Sequence, residues 1–369
     1  MSKKYEKYAD VLVNYSAQIQ SGDNVYLTCK SLEALPLYKE VRKEIIKQRG
    51  LPHEHLLHDS QIGAEGMDYT WMKYASKEQL KSMSEAKMKE VENMDAYIRI
   101  GGPSNKNELS DINSEKPTIR QKATEDILTE RLKKDWVVTA FPTDSLAQDA
   151  GMSTKEFENF VIDSVTELDY DKLKEKNKKL LEVFDNTKEV NIKGENTDLT
   201  MSLEDRDGVP DNGKNNIPCG EVFYAPRKES LEGQIEFSYP AVESGNEVKG
   251  VKLQFKKGEV VDFSAEENEE FLEKMLNTDQ GAKRVGELGI GTNRMIDEYI
   301  KSTLFDEKIG GTIHLALGRA YEVCVENGEK RNKSGIHWDI VKDLRPRAGG
   351  GKIIADGETV QKNGEWKVL

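Results

Sequence analysis

Apolar positions along the first half of the chain alternate between helical spacing and short continuous runs. Tyr5, Tyr8, Val11, Leu12 and Tyr15 recur at helical intervals, which predicts an amphipathic helix over residues 5–21, stopped at Gly22. NVYLTC (24–29) reads as a buried strand. Ser31 is placed to cap a helix running to about Gln48, and the HEHLLHD run after it reads as a second strand. The alternation continues with a strand at AYIRI (96–100), a charged helix at 115–134, a strand at WVVTAFP (136–142) and a helix over 153–184. Ser153 and Glu156 are spaced there as a capping box. Strand and helix taking turns predicts a mainly parallel sheet.

The period then changes. VNIKG, LTMSL, IEFSY, VKGVKLQF and EVVDFSA are short alternating segments divided by Gly and Asn-Gly type turns, which predicts antiparallel strands. One helix, NEEFLEKMLN, interrupts them. The expected organisation is an α/β N-terminal domain with a mainly parallel sheet (1–186) and an α+β C-terminal domain rich in antiparallel strands (187–369), joined near Asn186–Glu189. A chain of 369 residues is long enough for two such cores.

Composition narrows the function classes. The net charge of −13, from 54 basic and 67 acidic residues, is the wrong sign for a nucleic-acid binder. No apolar run approaches the ~20 residues needed to cross a bilayer. MSKKYEKYAD lacks the apolar run of a secretory signal, so a cytosolic protein is expected. Cys29, Cys219 and Cys324 are dispersed and odd in number, which predicts reduced thiols rather than a disulfide framework.

Some chemical-looking signals carry little. His53, His55 and His58 lie in PHEHLLHDS without further ligands nearby, and a polar strand rim is the better reading. GGPSN lacks the spacing of a dinucleotide site, and RAGGGK is followed by Ile where a phosphate loop needs Ser or Thr. Gly-x-Ser-x-Gly and His-Glu-x-x-His are absent from the chain.

A second group of residues is more promising. His337 and Asp339 in SGIHWDI share one face of a strand and offer a nitrogen and an oxygen ligand together. His314 lies on an apolar run, seven residues before Tyr321. Glu221 sits in an otherwise apolar strand, where a carboxylate is costly unless paired or metal-bound. Glu287 stands between Gly286 and what reads as a Gly289/Gly291 turn. The set suits a divalent metal, although spacing alone does not make the six converge.

The segments NNIPCGEVFYAP, VGELGIGTN, TLFDEKIGGTIHLALGRAY, HWDIV and ADGETVQKNGEW together resemble the thermophilic aminopeptidase T family of metallopeptidases. DNVYL and FPTDSLAQDAGMSTKEFENF extend the likeness more loosely into the first half. The resemblance implies a metal site formed by Glu221, Glu287, His314, Tyr321, His337 and Asp339, with Glu287 bridging two divalent ions (zinc, cobalt or manganese). It also implies broad-specificity removal of N-terminal residues from peptides, and a homodimer. Glu307 is the first candidate for proton transfer and Glu221 the second, while Tyr321 is a ligand or an oxyanion donor. Relatives differ in length near Glu307, so its reach to the metals stays open. Two other readings use the same residues: a two-metal amidohydrolase acting on small amides or acylated amino acids, and a non-catalytic metal-binding protein.

Overall fold

The computed structural model describes residues 3–57, 68–113, 115–243, 245–325 and 331–369; His58 lies outside them. The chain forms two compact units, residues 1–167 with 213–218, and residues 168–212 with 219–369.

In the first unit, the described residues form a parallel sheet in the order Leu51–Leu56, Asn24–Cys29, Ala96–Gly101, Asp135–Ala140 and Asn216–Ile217. Ala96–Gly101 is buried along its whole length, which is why it reads as a continuous apolar run and does not alternate. The first helix forms over Lys3–Asp10 and continues as a π-helical segment, Val11–Ser16. Ser31 does not cap: its side chain makes no capping bond, and Pro36 sits in the first turn of the helix Leu35–Lys47 instead. The charged helix predicted over 115–134 is two helices, Glu115–Ala123 and Glu125–Arg131. Thr124 at the junction bonds back to the Arg120 carbonyl at 3.0 Å, a local bond that competes with helix continuation.

The segment 153–184 also divides, into Thr154–Thr166 and Tyr170–Phe184. Ser153 Oγ accepts from the Glu156 amide at 3.2 Å, as the capping pattern anticipates. Asp169 then accepts from the Lys172 amide at 3.1 Å and starts the second helix afresh. Leu180 and Phe184 on that helix bury in the core of the second unit. The compact units therefore part at Glu167–Leu168, ahead of the 186/187 junction that the change in periodicity marks.

Among its described residues the second unit contains two large antiparallel sheets and a two-stranded one, Ala241–Glu243 with Asn246–Val248. The larger runs Glu259–Ser264, Lys252–Lys256, Glu232–Glu236, Thr197–Ser202, Glu189–Gly194, Gly351–Ala355, Glu358–Lys362 and Glu365–Trp366. The smaller runs His337–Asp343, Thr312–Gly318, Val285–Gly291, Glu221–Tyr224 and Val209–Asp211. Leu288, Ile290, Ile313, Leu315, Leu317, Trp338 and Ile340 of the smaller sheet share one core with Ile192, Leu199 and Leu253 of the larger. Side chains alternate along a strand, so the intervening positions Glu287, Gly289, His314, His337 and Asp339 belong to the opposite face.

Candidate metal centre

Strand register brings the predicted residues together on that face. Gly289 pairs with His314, Gly291 with Glu221, Ala316 with Asp339, and Gly318 with His337. The glycines do not make a turn, contrary to the sequence expectation; they lie within the strand Val285–Gly291. Their role is to leave space. A Cβ on Gly289 would lie 1.9 Å from Cε1 of His314, so the imidazole rests directly across that backbone.

The side chains converge around His314, which is fully buried. Its Nε2 lies 3.1 Å from Glu287 Oε1, 3.6 Å from Glu221 Oε2 and 3.8 Å from Asp339 Oδ1. His337 Nε2 lies 3.7 Å from Asp339 Oδ1 and 4.0 Å from Glu287 Oε2, while its Nδ1 is 2.8 Å from the Arg319 carbonyl oxygen. Such a bond on the far ring nitrogen orients a ligating imidazole. The ring of Tyr321 packs 4.9 Å from that of His337 and 5.9 Å from that of Phe223, with 39% of the residue exposed. Glu307 comes close as well. Its carboxylate, with those of Glu221 and the ring nitrogen of His314, forms one group whose ligand atoms lie within 4.8 Å of one another; Glu287, His314 and Asp339 form a second.

Burial sets the protonation states. It raises the Glu221 carboxyl well above the carboxylate range, with Lys308 pulling the other way. Burial likewise raises Asp339, opposed by His337 and His314. For His314 burial disfavours the charged ring, yet the bond to Glu287 and the charges of Glu221 and Asp339 raise it overall. The phenol of Tyr321 is pushed up by burial and by Glu287 and Asp339. In this arrangement the tyrosine is a hydrogen-bond donor.

Glu221 Oε2, Glu287 Oε2 and Asp339 Oδ1 are buried without a hydrogen-bond partner. Buried carboxylate oxygens in that condition are costly. Beside imidazole nitrogens, they make a donor set that fits a divalent cation.

Three neighbours were not legible in the sequence. Lys308 is fully buried and donates to Glu221 Oε1 at 2.7 Å, contacts Glu307 Oε1, and lies 3.4 Å from Asp211 Oδ2. Asn177, on the helix Tyr170–Phe184, donates to the backbone carbonyls of Glu221 at 3.3 Å and Asp211 at 3.4 Å. Thr292 Oγ1 donates to Asn177 Oδ1 at 2.8 Å and fixes its orientation. Local pattern does not single out Lys308 from the other basic residues, and only the tertiary fold buries it. The discounted histidines have partners of their own in the first unit. His53 Nε2 is 3.1 Å from Asn24 Oδ1, and His55 pairs with Glu90 at 2.8 Å and stacks on Tyr26. Cys29, Cys219 and Cys324 are free and buried, and burial pushes the Cys219 thiol away from the reactive thiolate form.

This geometry is matched by similarity over the whole chain. Residues 1–366 match the model of the thermophilic metalloprotease (M29) family. The chain belongs to that family. Aminopeptidase 2 of Geobacillus stearothermophilus is 26% identical to this M29 chain, over 99% of the chain and 98% of that protein. Aminopeptidase T of Thermus aquaticus is 35% identical over 48% of the chain and 49% of its own length. Wild-type AmpT from Thermus thermophilus shares the fold, with a TM-score of 0.82 at 22% identity, over 99% of each chain. The family resemblance read from the C-terminal segments is thereby borne out, as is the α/β plus antiparallel α+β architecture.

Proposed function

We propose that this M29 protein is a broad-specificity aminopeptidase that works with two divalent ions, zinc, cobalt or manganese, as a cytosolic homodimer. The observation that carries the reading is the convergence of Glu287, His314 and Asp339 beside Glu221 and Glu307, with ligand atoms of each group within 4.8 Å. Glu287 is the bridging candidate, since its two oxygens face different histidines, His314 at 3.1 Å and His337 at 4.0 Å. Glu221, His314, His337 and Asp339 would complete the set, with Tyr321 kept as the oxyanion donor because burial and the neighbouring carboxylates hold its proton on the phenol. Ions held there would supply an acidified water and polarisation of the scissile carbonyl.

The residues of the chain do the rest. Glu307 is the first candidate to carry the proton to the leaving amine, being partly buried beside Glu221 and His314 while belonging to no strand. Glu221 is the second, since burial raises its carboxyl toward the neutral range in which a proton shuttle works. Tyr321 donates a hydrogen bond to the carbonyl oxygen as negative charge develops. The surplus of carboxylates suits a substrate that carries a free, positively charged N-terminus. A small cavity of about 40 Å³, lined by Pro240, Val242, Tyr299 and Val341, adjoins Glu307 and Asp339.

The decisive experiment combines metal analysis with a peptide panel. Two ions per chain are expected, with cleavage of peptides having free N-termini and none of their acetylated counterparts. Glu287→Ala should lower that cleavage by at least about a hundredfold, the scale on which misplaced catalytic groups act. Equal turnover of the acetylated peptides would favour an amidohydrolase. A full metal load without any turnover would favour a binding protein.

A further inference from the structure

Lys308 is a fully buried cation inside a site whose family binds cations. Its ammonium touches Glu221 and Glu307 and lies 3.4 Å from Asp211 Oδ2. These contacts are all on one side of the site. Glu221, Glu287 and Asp339 each keep one buried oxygen without a hydrogen-bond partner, but only Glu221 has its other oxygen engaged by an ammonium, that of Lys308. Nε2 of His314 adds to the imbalance. It is closer to Glu287, at 3.1 Å, than to Glu221, at 3.6 Å, and one nitrogen serves one ion.

We propose that Lys308 is a resident counter-ion that makes the two metal positions unequal, so that the position beside Glu221 and Glu307 takes its ion more weakly than the position beside His337 and Asp339. An ion arriving beside Glu221 must share carboxylates already engaged by an ammonium, and it meets like charge at short range in a poorly screened interior. An ion arriving beside His337 and Asp339 meets carboxylates that hold no lysine ammonium, with Glu287 Oε2 and Asp339 Oδ1 lacking a hydrogen-bond partner. Before any ion arrives, Lys308 also neutralises part of the charge of Asp211, Glu221 and Glu307, which otherwise repel one another. Lys308 is thus a positioning residue, acting through the carboxylates it holds. The proposal rests on the two-metal reading given above.

The test is titration of the chelator-stripped full-length protein with Zn²⁺ alone, against a chromophoric competitor. Wild type should take two ions with affinities at least tenfold apart. Lys308→Met should tighten the weaker step at least tenfold and move the tighter step less than threefold. Lys308→Arg, which keeps the charge, should retain the gap. Because removing a buried cation leaves an excess of buried negative charge, Lys308→Met with Asp211→Asn is the second variant, balanced in charge and expected to narrow the gap in the same way. Two equal affinities in wild type, or an unchanged gap in Lys308→Met and in the double variant, would overturn the proposal and leave the two-metal reading intact. Fewer than two ions in wild type would overturn both.

Discussion

At the scale of single residues, the site depends on an absent side chain. Gly289 lets the His314 ring cross its backbone, and a methyl group there would lie 2.1 Å from Nε2. Gly289→Ala should therefore keep the fold, at a cost of about 1–3 kcal/mol for overpacking. It should also displace His314 enough to lower peptide cleavage about a hundredfold. Circular dichroism and metal titration separate the two effects, and a variant that binds metal like wild type would show that the ring has other room. The sequence presented Gly289 as turn punctuation, because a glycine with Gly286 and Gly291 close by looks the same whether the backbone bends or a neighbour leans on it. The charged residues of the site were more legible. Glu221, Glu287 and His314 stand out as polar groups in apolar strands, and a polar group in such a position needs a partner. Lys308 gave no such signal, since Glu307-Lys308 next to Gly-Gly reads as an ordinary solvated turn.

At the scale of elements, the strand His337–Asp343 carries site residues at one end and a structural clamp at the other. Asp343 is fully buried and accepts from Arg345 Nε at 2.9 Å, from Arg347 Nε at 3.2 Å and from Tyr239 Oη at 2.7 Å. Burial alone would raise its carboxyl, but the Arg345 bonds and the Tyr239 hydroxyl outweigh it and lower the value overall. A lowered native value means that the stabilisation is fully present above about pH 4, the unfolded carboxylate range, and is lost as pH falls through the native value. Asp343→Asn should cost about 3 kcal/mol, the scale for breaking a buried ion pair. The loss should vanish in acid, where wild type and variant converge; thermal melts across pH 2–7 read both. The alternating segments lie in the larger sheet and Val285–Gly291 read as a turn, while in this sheet the strands at Glu221 and His337 were legible. Their neighbours were not, because pairing between residues as far apart as Glu221 and Gly291 is set by packing of the core face rather than by local spacing. The helix breaks at Thr124 and at Glu167–Asp169 were missed for a related reason: side-chain bonds to the backbone ended helices whose apolar periodicity continued.

At the scale of the molecule, the metal centre lies entirely within the second unit. Ligands that bind only the folded state stabilise it by mass action, about 2.7 kcal/mol for each ion present at a hundred times its dissociation constant. For a unit of this size that corresponds to about 5–10 °C in melting temperature. Chelation should lower the melting transition of the second unit by this amount for each ion removed, and restoring the ions should reverse it, with calorimetry as the measurement. An unchanged transition would mean that the carboxylates are satisfied without metal.

The five strands that build the centre span the chain from Val209 to Asp343, and the last ligands arrive with the strand His337–Asp343. A chain emerging from the ribosome has no complete centre until this strand has been made. Metal uptake therefore follows synthesis of His337–Asp343, and a protein truncated before residue 337 should be inert however well its first unit folds. The enzyme would thus be kept from cutting peptides until its last ligands are in place, by the order in which its own residues are added.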